Sequence, residues 1–347
     1  MWTPVNIDPR KRNIDSYLGI SGLSDLILSK IDDKTYCNLN VCVTSLGKTI
    51  PDGYNLYILG FWFDIFDENV FLQVYKNNPT AQFILLTDLS PNGLTNFDRC
   101  KFVNLFHWKW FLSKFHNSPK NYKYKISSLS NRVNEYRAFI TLKLLAQSDV
   151  FVTWNAKYLK DINVDYIFSP AGRVKRDELL QNIDLLKFPI NQETFFNDPQ
   201  ISSEILLHPA YSESLVNSIN ETKEISWHAD IGILPGPYLS EKTWKPLLSG
   251  NALLFTGQFN TGQTLSKLGF AFDYPWSNAY DNQPGDLDRL DLLFDTIDKI
   301  LGMDFKSIEN GIKDSVLYNQ NFISSKKIIQ IIDERNECGL EQLKTIL

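Results

Sequence analysis

The sequence predicts an α/β protein made of two parallel-sheet halves, and three observations carry that prediction. Short β-rich apolar runs alternate with helix-patterned segments, which is the order of a parallel sheet. At 347 residues the chain has room for two domains of ordinary size. A polar stretch, His116-Asn117-Ser118-Pro119-Lys120-Asn121, marks a linker, and a fresh strand pattern begins just beyond it.

In the first half, 36–45 is β-rich and 54–63 is an apolar aromatic run, while 69–76 has a helical pattern. Gln82 to Leu86 reads as a short buried strand ending in the loop Thr87-Asp88-Leu89-Ser90-Pro91-Asn92-Gly93, and 101–106 reads as the next strand. The second half opens with a strand over 124–129. It runs through Ser130-Asn131-Arg132-Val133-Asn134 into a helix over 135–147 with Leu142, Leu144 and Leu145 on its apolar side. A strand over 149–154 follows, then a charged helix over 173–186, a helix or strand end over 214–220 and a strand-like run over 224–229. Further on, 243–249 is helical, an apolar strand leads to Gly257, and 263–270 is a helix closed by Gly269 as its C-terminal cap. The segments 287–301 and 325–347 are helical, and no internal repeat interrupts the pattern. Open parallel sheets bind ligands at the carboxyl ends of their strands, so two such halves face to face would enclose a cleft.

Hydrophobic residues at 43% and charged residues at 22% place the chain among folded globular proteins. A formal charge of -5 gives no general attraction to nucleic acid or anionic lipid. Lys101, Lys109, Lys114, Lys120, Lys123 and Lys125 do cluster around Trp108, Trp110 and Tyr122, a pattern that can hold a polyanion. It reads more readily as a solvated helix face and linker, because the acidic remainder offers no long-range steering. Cys37, Cys42, Cys100 and Cys338 form no CxxC pair and read as free thiols of a reducing compartment. The polar, charged start of the chain does not read as a signal peptide, and no apolar run approaches the roughly 20 residues of a membrane helix. A soluble, cytoplasmic protein is the expectation. The phosphate loop GxxxxGK[ST], the GxGxxG fingerprint and HExxH are all absent from the sequence. Asp161-Ile162-Asn163-Val164-Asp165 lacks the glycine and further ligands of a calcium loop and reads as a turn.

The most specific segment is Tyr238-Leu239-Ser240-Glu241-Lys242-Thr243-Trp244-Lys245-Pro246-Leu247-Leu248-Ser249-Gly250, followed by the apolar run to Gly257. Lys242 stands where a short helix begins, and Arg132 and Arg137 stand at the start of another helix just past a strand. Cations and backbone N–H groups at such helix starts suit a phosphorylated ligand. Glu241 and Glu221 are placed to accept hydrogen bonds from sugar hydroxyls. Each residue also has a plainer reading: Glu241 as a helix-start charge favoured by the dipole, Lys242 and Arg137 as solvated cations.

Ser240-Glu241-Lys242-Thr243-Trp244, Gly250 and the strand to Gly257 together resemble the fucosyltransferase-type family of GT-B glycosyltransferases. Ser127 to Arg137 and Ser218-Ile219-Asn220-Glu221-Thr222 resemble two further segments of that family in the same order, so the likeness spans about 127–269. The resemblance implies a GT-B-like fold of two Rossmann-like domains facing a central cleft. It divides the chain into an acceptor-side domain over 1–120, a nucleotide-sugar domain over 121–324 and a C-terminal helix over 325–347 that crosses back onto the first domain. It implies transfer of a sugar from a nucleotide-diphosphate donor to a hydroxyl of a glycan, inverting and metal-independent, with no cofactor beyond the donor. Arg137 and Lys242 would hold the diphosphate, with Asn131, Glu221 and Glu241 completing the donor site. Pro246 inside the helix and the extended loop Gly232-Ile233-Leu234-Pro235-Gly236-Pro237 depart from the family and leave sugar and base specificity open.

An inverting transfer needs a base for the acceptor proton. Asp88, past a buried strand at a carboxyl end, is the first candidate, with Glu68 and Asp64 as alternatives; an Asp capping a turn is the plainer reading. His107 and His228 read more readily as packed histidines. Trp108 and Trp110 are candidates for stacking on the acceptor, with core packing as the competing role. Two other functions stay open: glycosylation of a hydroxylated base in DNA, and a non-catalytic glycan- or nucleotide-binding module.

Overall fold

Among the described residues the strands form two parallel sheets of four. The computed structural model describes residues 15, 19–39, 50–60, 68–87, 97–106, 109–112, 120–130, 135–145, 147–154, 208–219, 237, 239–257, 259–283 and 286–347. Its strands are β1 (Thr35–Asn38), β2 (Leu56–Gly60), β3 (Gln82–Thr87), β4 (Cys100–Asn104), β5 (Tyr124–Ser130), β6 (Val150–Trp154), β7 (Ser214–Ser218) and β8 (Ala252–Leu254). In chain order its helices are α1 (Leu23–Leu28), α2 (Glu68–Asn77), α3 (Lys109–Leu112), α4 (Glu135–Leu145), α5 (Pro209–Ser212), α6 (Glu241–Ser249), α7 (Thr261–Lys267), α8 (Asp286–Gly302), α9 (Phe305–Ser324) and α10 (Lys327–Ile346). The chain is α/β with parallel pairing, as its alternating pattern predicts.

Two compact units divide the described residues. The first takes in Met1–Lys114 and Lys326–Leu347; the second takes in Phe115–Trp227 and Pro237–Ser325. The first unit holds β1 to β4 in sequential order, and its strands are apolar on both faces because both faces are covered. Period-two alternation sends Ile58, Ile84, Leu86 and Val103 into one core with Leu23, Ile27 and Leu343. The intervening Tyr57, Leu59, Phe83 and Leu85 enter the other, with Phe71 and Val74 of α2. Tyr57 stacks on Phe83 at 4.9 Å between ring centroids. Arg99 lies 3.7 Å over the Tyr75 ring and donates to the carbonyls of Tyr75, Asn78 and Ala81, closing the turn before β3.

The C-terminal α10 packs on β4 of this unit. Buried Asn336 donates to the Phe106 carbonyl at 3.0 Å and accepts from the Phe106 N–H at 2.6 Å, continuing β4 as a side-chain rung. Gly339 passes so close that a Cβ there would collide with the Asn104 carbonyl. In the second unit the strand order is β6-β5-β7-β8. Within the segment 214–220, open in the sequence between helix and strand, Ser214–Ser218 forms the inner strand β7, with all five residues buried. The 20-residue α9 has no counterpart in the sequence reading; it buries the stripe Ile308, Ile312, Ser315, Asn319 and Phe322, and its Gly311 packs against Pro275. The expected elements over 173–186 and 224–229 lie outside the described residues. Among the described residues no helix is long and apolar enough to cross a membrane. Cys37 and Cys100 are buried and Cys338 is exposed, all three outside any disulfide, and burial pushes the Cys100 thiol up to about 12.

Candidate functional site

Strand order locates the candidate site within the second unit. From β5 the chain runs through α4 to β6 on one side; from β7 it runs through α6 to β8 on the other. The neighbours β5 and β7 therefore form a topological switch point, where a crevice opens outside the carboxyl ends of the strands. Right-handed crossovers put α4 and α6 on opposite faces of the sheet. Their partners differ accordingly: Lys143 of α4 pairs with Asp298 of α8 at 2.7 Å, whereas α6 meets α5 and α9. The first sheet runs in sequential order and shows no such reversal among its described strands.

The floor of the switch point is lined with hydroxyls. Ser128 of β5 is in register with Ser218 of β7, and Ser218 with Leu254 of β8, so these side chains share one face. Ser128, Ser218 and Thr256 are all buried, and the Ser218 and Thr256 hydroxyls are 3.2 Å apart. On the opposite face, Ser127 and Asn217 meet side chain to side chain and both donate to the Ala210 carbonyl, fixing α5 beneath the sheet.

Two of the predicted donor residues stand at this edge on described side chains. Arg137 lies in the first turn of α4, seven residues past the end of β5, and is only 4% exposed. Lys242 lies in the first turn of α6. Ser240 caps that helix, accepting from the Lys242 N–H at 3.2 Å, and the Lys242 ammonium reaches the same hydroxyl at 3.5 Å. The helix ends at Gly250, in the left-handed conformation at φ 71, two residues before β8; its N-terminus therefore points back to the carboxyl edge. Pro246 does not break α6. It stands six residues in, where it withholds only the N–H that would reach the Lys242 carbonyl. Trp244 is fully buried against Phe270 and anchors the helix, so its role is packing.

Asp88, Asp64, Asn131, Glu221, Trp108, His107 and His228 lie outside the described residues. So do the side chains of Glu68, which opens α2, of Trp110 in α3, and of Glu241, which opens α6. Thr87, the residue before Asp88, ends β3 and is buried. Among the described residues no three His, Cys, Asp or Glu side chains come together as a metal site.

The structure adds residues that sequence reasoning passed over. Lys245, one turn beyond Lys242, is buried at 6% exposure, and its charge adds to burial in holding His208 down to about 4. Neutral His208 uses Nδ1 to accept from the Ala210 N–H at 3.3 Å, capping α5. Asp281 is buried beside Arg289, with 3.7 Å between charged atoms, and accepts from the first N–H groups of α7. Burial raises its carboxyl to about 6, against the pull of Arg289 and those N–H groups. Nothing in the sequence pattern marks Asp281 as a helix cap, because it lies 20 residues from the N–H it serves.

The lysine cluster resolves into separate local roles. Lys109 pairs with Asp333 at 2.5 Å, Lys123 with Glu213 at 2.6 Å, and Lys125 with Asp149 at 3.5 Å and the Leu301 carbonyl at 2.8 Å. Lys120 is half-buried and donates to the Tyr211 carbonyl and to Asn251. Comparison of the chain with family models, curated proteins and solved structures finds no match in any of the three.

Proposed function

We propose that the protein is a GT-B-type glycosyltransferase that moves a sugar from a nucleotide-diphosphate donor to a hydroxyl of a glycan acceptor. The observation that carries this reading is the switch point at β5 and β7, with Arg137 and Lys242 at the starts of the helices on its two sides. A departing diphosphate gathers negative charge, and fixed cations with helix N-termini are the protein groups that disperse it. The hydroxyl floor of Ser128, Ser218 and Thr256 offers neutral partners that do not repel an anion.

In the proposed reaction the acceptor oxygen bonds to the anomeric carbon as the bond to the diphosphate oxygen breaks. The acceptor proton passes to a carboxylate, for which the sequence offers Asp88 before Glu68 or Asp64. Glu221 and Glu241 orient the donor beside Asn131, and Trp108 and Trp110 meet the acceptor. Arg137 and Lys242 supply the positive charge at the leaving group.

Sugar release or transfer from a panel of nucleotide sugars tests this reading. Lys242→Ala is expected to lower turnover on the order of 10²-fold with the thermal midpoint retained, the cost of removing one transition-state donor. Unchanged turnover would remove Lys242 from the site, and no release or transfer by the parent protein would favour a non-catalytic binding module. The DNA-directed variant draws little support, since Lys109, Lys123 and Lys125 each already face an acidic partner.

A further inference from the structure

Four large apolar side chains are exposed among the described residues: Leu28, Phe259, Leu317 and Tyr318. Leu28 lies on α1, and Leu317 and Tyr318 lie on α9. Phe259 alone stands on a loop at the carboxyl edge of the second sheet, between β8 and α7, with 44% of its surface open. That loop begins beside the end of β7, one strand from the switch point: Thr256 meets Ser218 of β7, and the Ile219 N–H donates to the Leu254 carbonyl at 2.9 Å.

The loop is held from several directions. The Phe255 N–H donates to the Tyr280 hydroxyl at 3.0 Å, and Arg289 donates to the Phe255 carbonyl at 3.2 Å. The Asn260 N–H donates to the Asp281 carbonyl at 2.5 Å. The Asp281 carboxylate takes the next two N–H groups, from Thr261 at 3.1 Å and Gly262 at 2.8 Å. Gly262 has no room for a side chain: a Cβ would stand 2.7 Å from the Phe255 ring and 3.1 Å from the Asp281 carboxylate. Asn260, the residue after Phe259, adopts φ 63, the left-handed conformation that asparagine takes more readily than most residues, and so turns the chain into α7.

None of this fastening buries Phe259. The turn at Asn260 and a buried Asp–Arg pair fix the loop while the Phe259 ring stays exposed, at the edge where open α/β sheets take their ligands. Aromatic faces held this way stack on nucleobases with little regard to base identity. The Asp281 carboxylate also fills the N-terminus of α7, so an anion arriving at this edge is left to Arg137 and Lys242, and the loop is left to the ligand's uncharged ring.

We propose that Phe259 is the stacking surface for the nucleobase of the donor, resting on the reading of this edge as a nucleotide-diphosphate site. Calorimetric titration of UDP, GDP, ADP and CDP into the full chain tests it, because these probes carry the base and diphosphate without the transferred sugar. Phe259→Ala is expected to weaken the bound nucleotide roughly tenfold or more, Phe259→Trp to restore it, and both to keep the parent thermal midpoint. Unaltered affinity in Phe259→Ala overturns the stacking role while leaving the nucleotide site standing. A loss that Phe259→Trp does not recover assigns Phe259 to the loop's shape and also overturns it. Absence of binding to the parent chain overturns the nucleotide site and the stacking role together.

Discussion

Lys120 donates to two neutral oxygens, the Tyr211 carbonyl at 2.7 Å and Asn251 Oδ1 at 3.0 Å, and burial holds its ammonium down to about 7. The unfolded chain returns it to the ordinary value of 10.5, so between these limits the unfolded state binds the extra proton. Stability then rises with pH, by up to about 1.4 kcal/mol per pH unit for one proton. Urea unfolding between pH 7 and pH 8.5 should show this rise, below the range where the buried Cys100 thiol begins to work in the opposite direction. In Lys120→Met the rise should vanish; a slope equal to the parent's would mean that the amine is not the titrating group. A second residue-scale prediction concerns Gly262. Gly262→Ala forces its Cβ against the buried Phe255 ring and should cost about 1–3 kcal/mol, read as a lowered denaturation midpoint. A midpoint within error of the parent's would show that the ring and the loop can shift.

At the scale of elements, α10 docks through close contact as well as apolar burial. Gly339→Ala sets a methyl against the Asn104 carbonyl, which is backbone and yields little, so the helix must lift from β4. Limited proteolysis within α10 should become faster in this variant and in Asn336→Ala, which strips the buried Phe106 N–H of its acceptor. Equal cleavage rates would contradict the docking geometry. The elements also show what the sequence could reveal. Apolar runs such as Phe83 to Leu86 and Leu253-Leu254 declared buried strands because both faces of a parallel sheet are covered. The helix over 243–249 is legible from its local pattern, and the structure shows it capped by Ser240 and closed by Gly250. Strand order is not local: nothing in the residues of β5 and β7 says that they are neighbours, so the switch point emerges only from the pairing. Asp281 and Arg289 escaped for the same reason, since they serve Phe255 to Gly262 across distances of about 20 to 34 residues.

For the whole molecule, a formal charge of -5 and the local pairing of Lys109, Lys123 and Lys125 argue for a ligand captured at a defined site, without a long-range basic field. The chain should therefore leave duplex DNA unshifted at about 50 mM salt, where phosphate-driven binding is strong; a salt-sensitive complex would revive the DNA-directed reading. The donor site itself is tested most directly by calorimetric titration of nucleoside diphosphates into the parent chain and Lys242→Ala, with thermal midpoints confirming that both are folded. Saturable binding of at least one of them to the parent, weakened about tenfold or more in Lys242→Ala, is the expected result for a charge-assisted contact. Equal binding by the two proteins, or binding by neither, would contradict the assignment of Lys242 and the β5–β7 edge to a donor diphosphate.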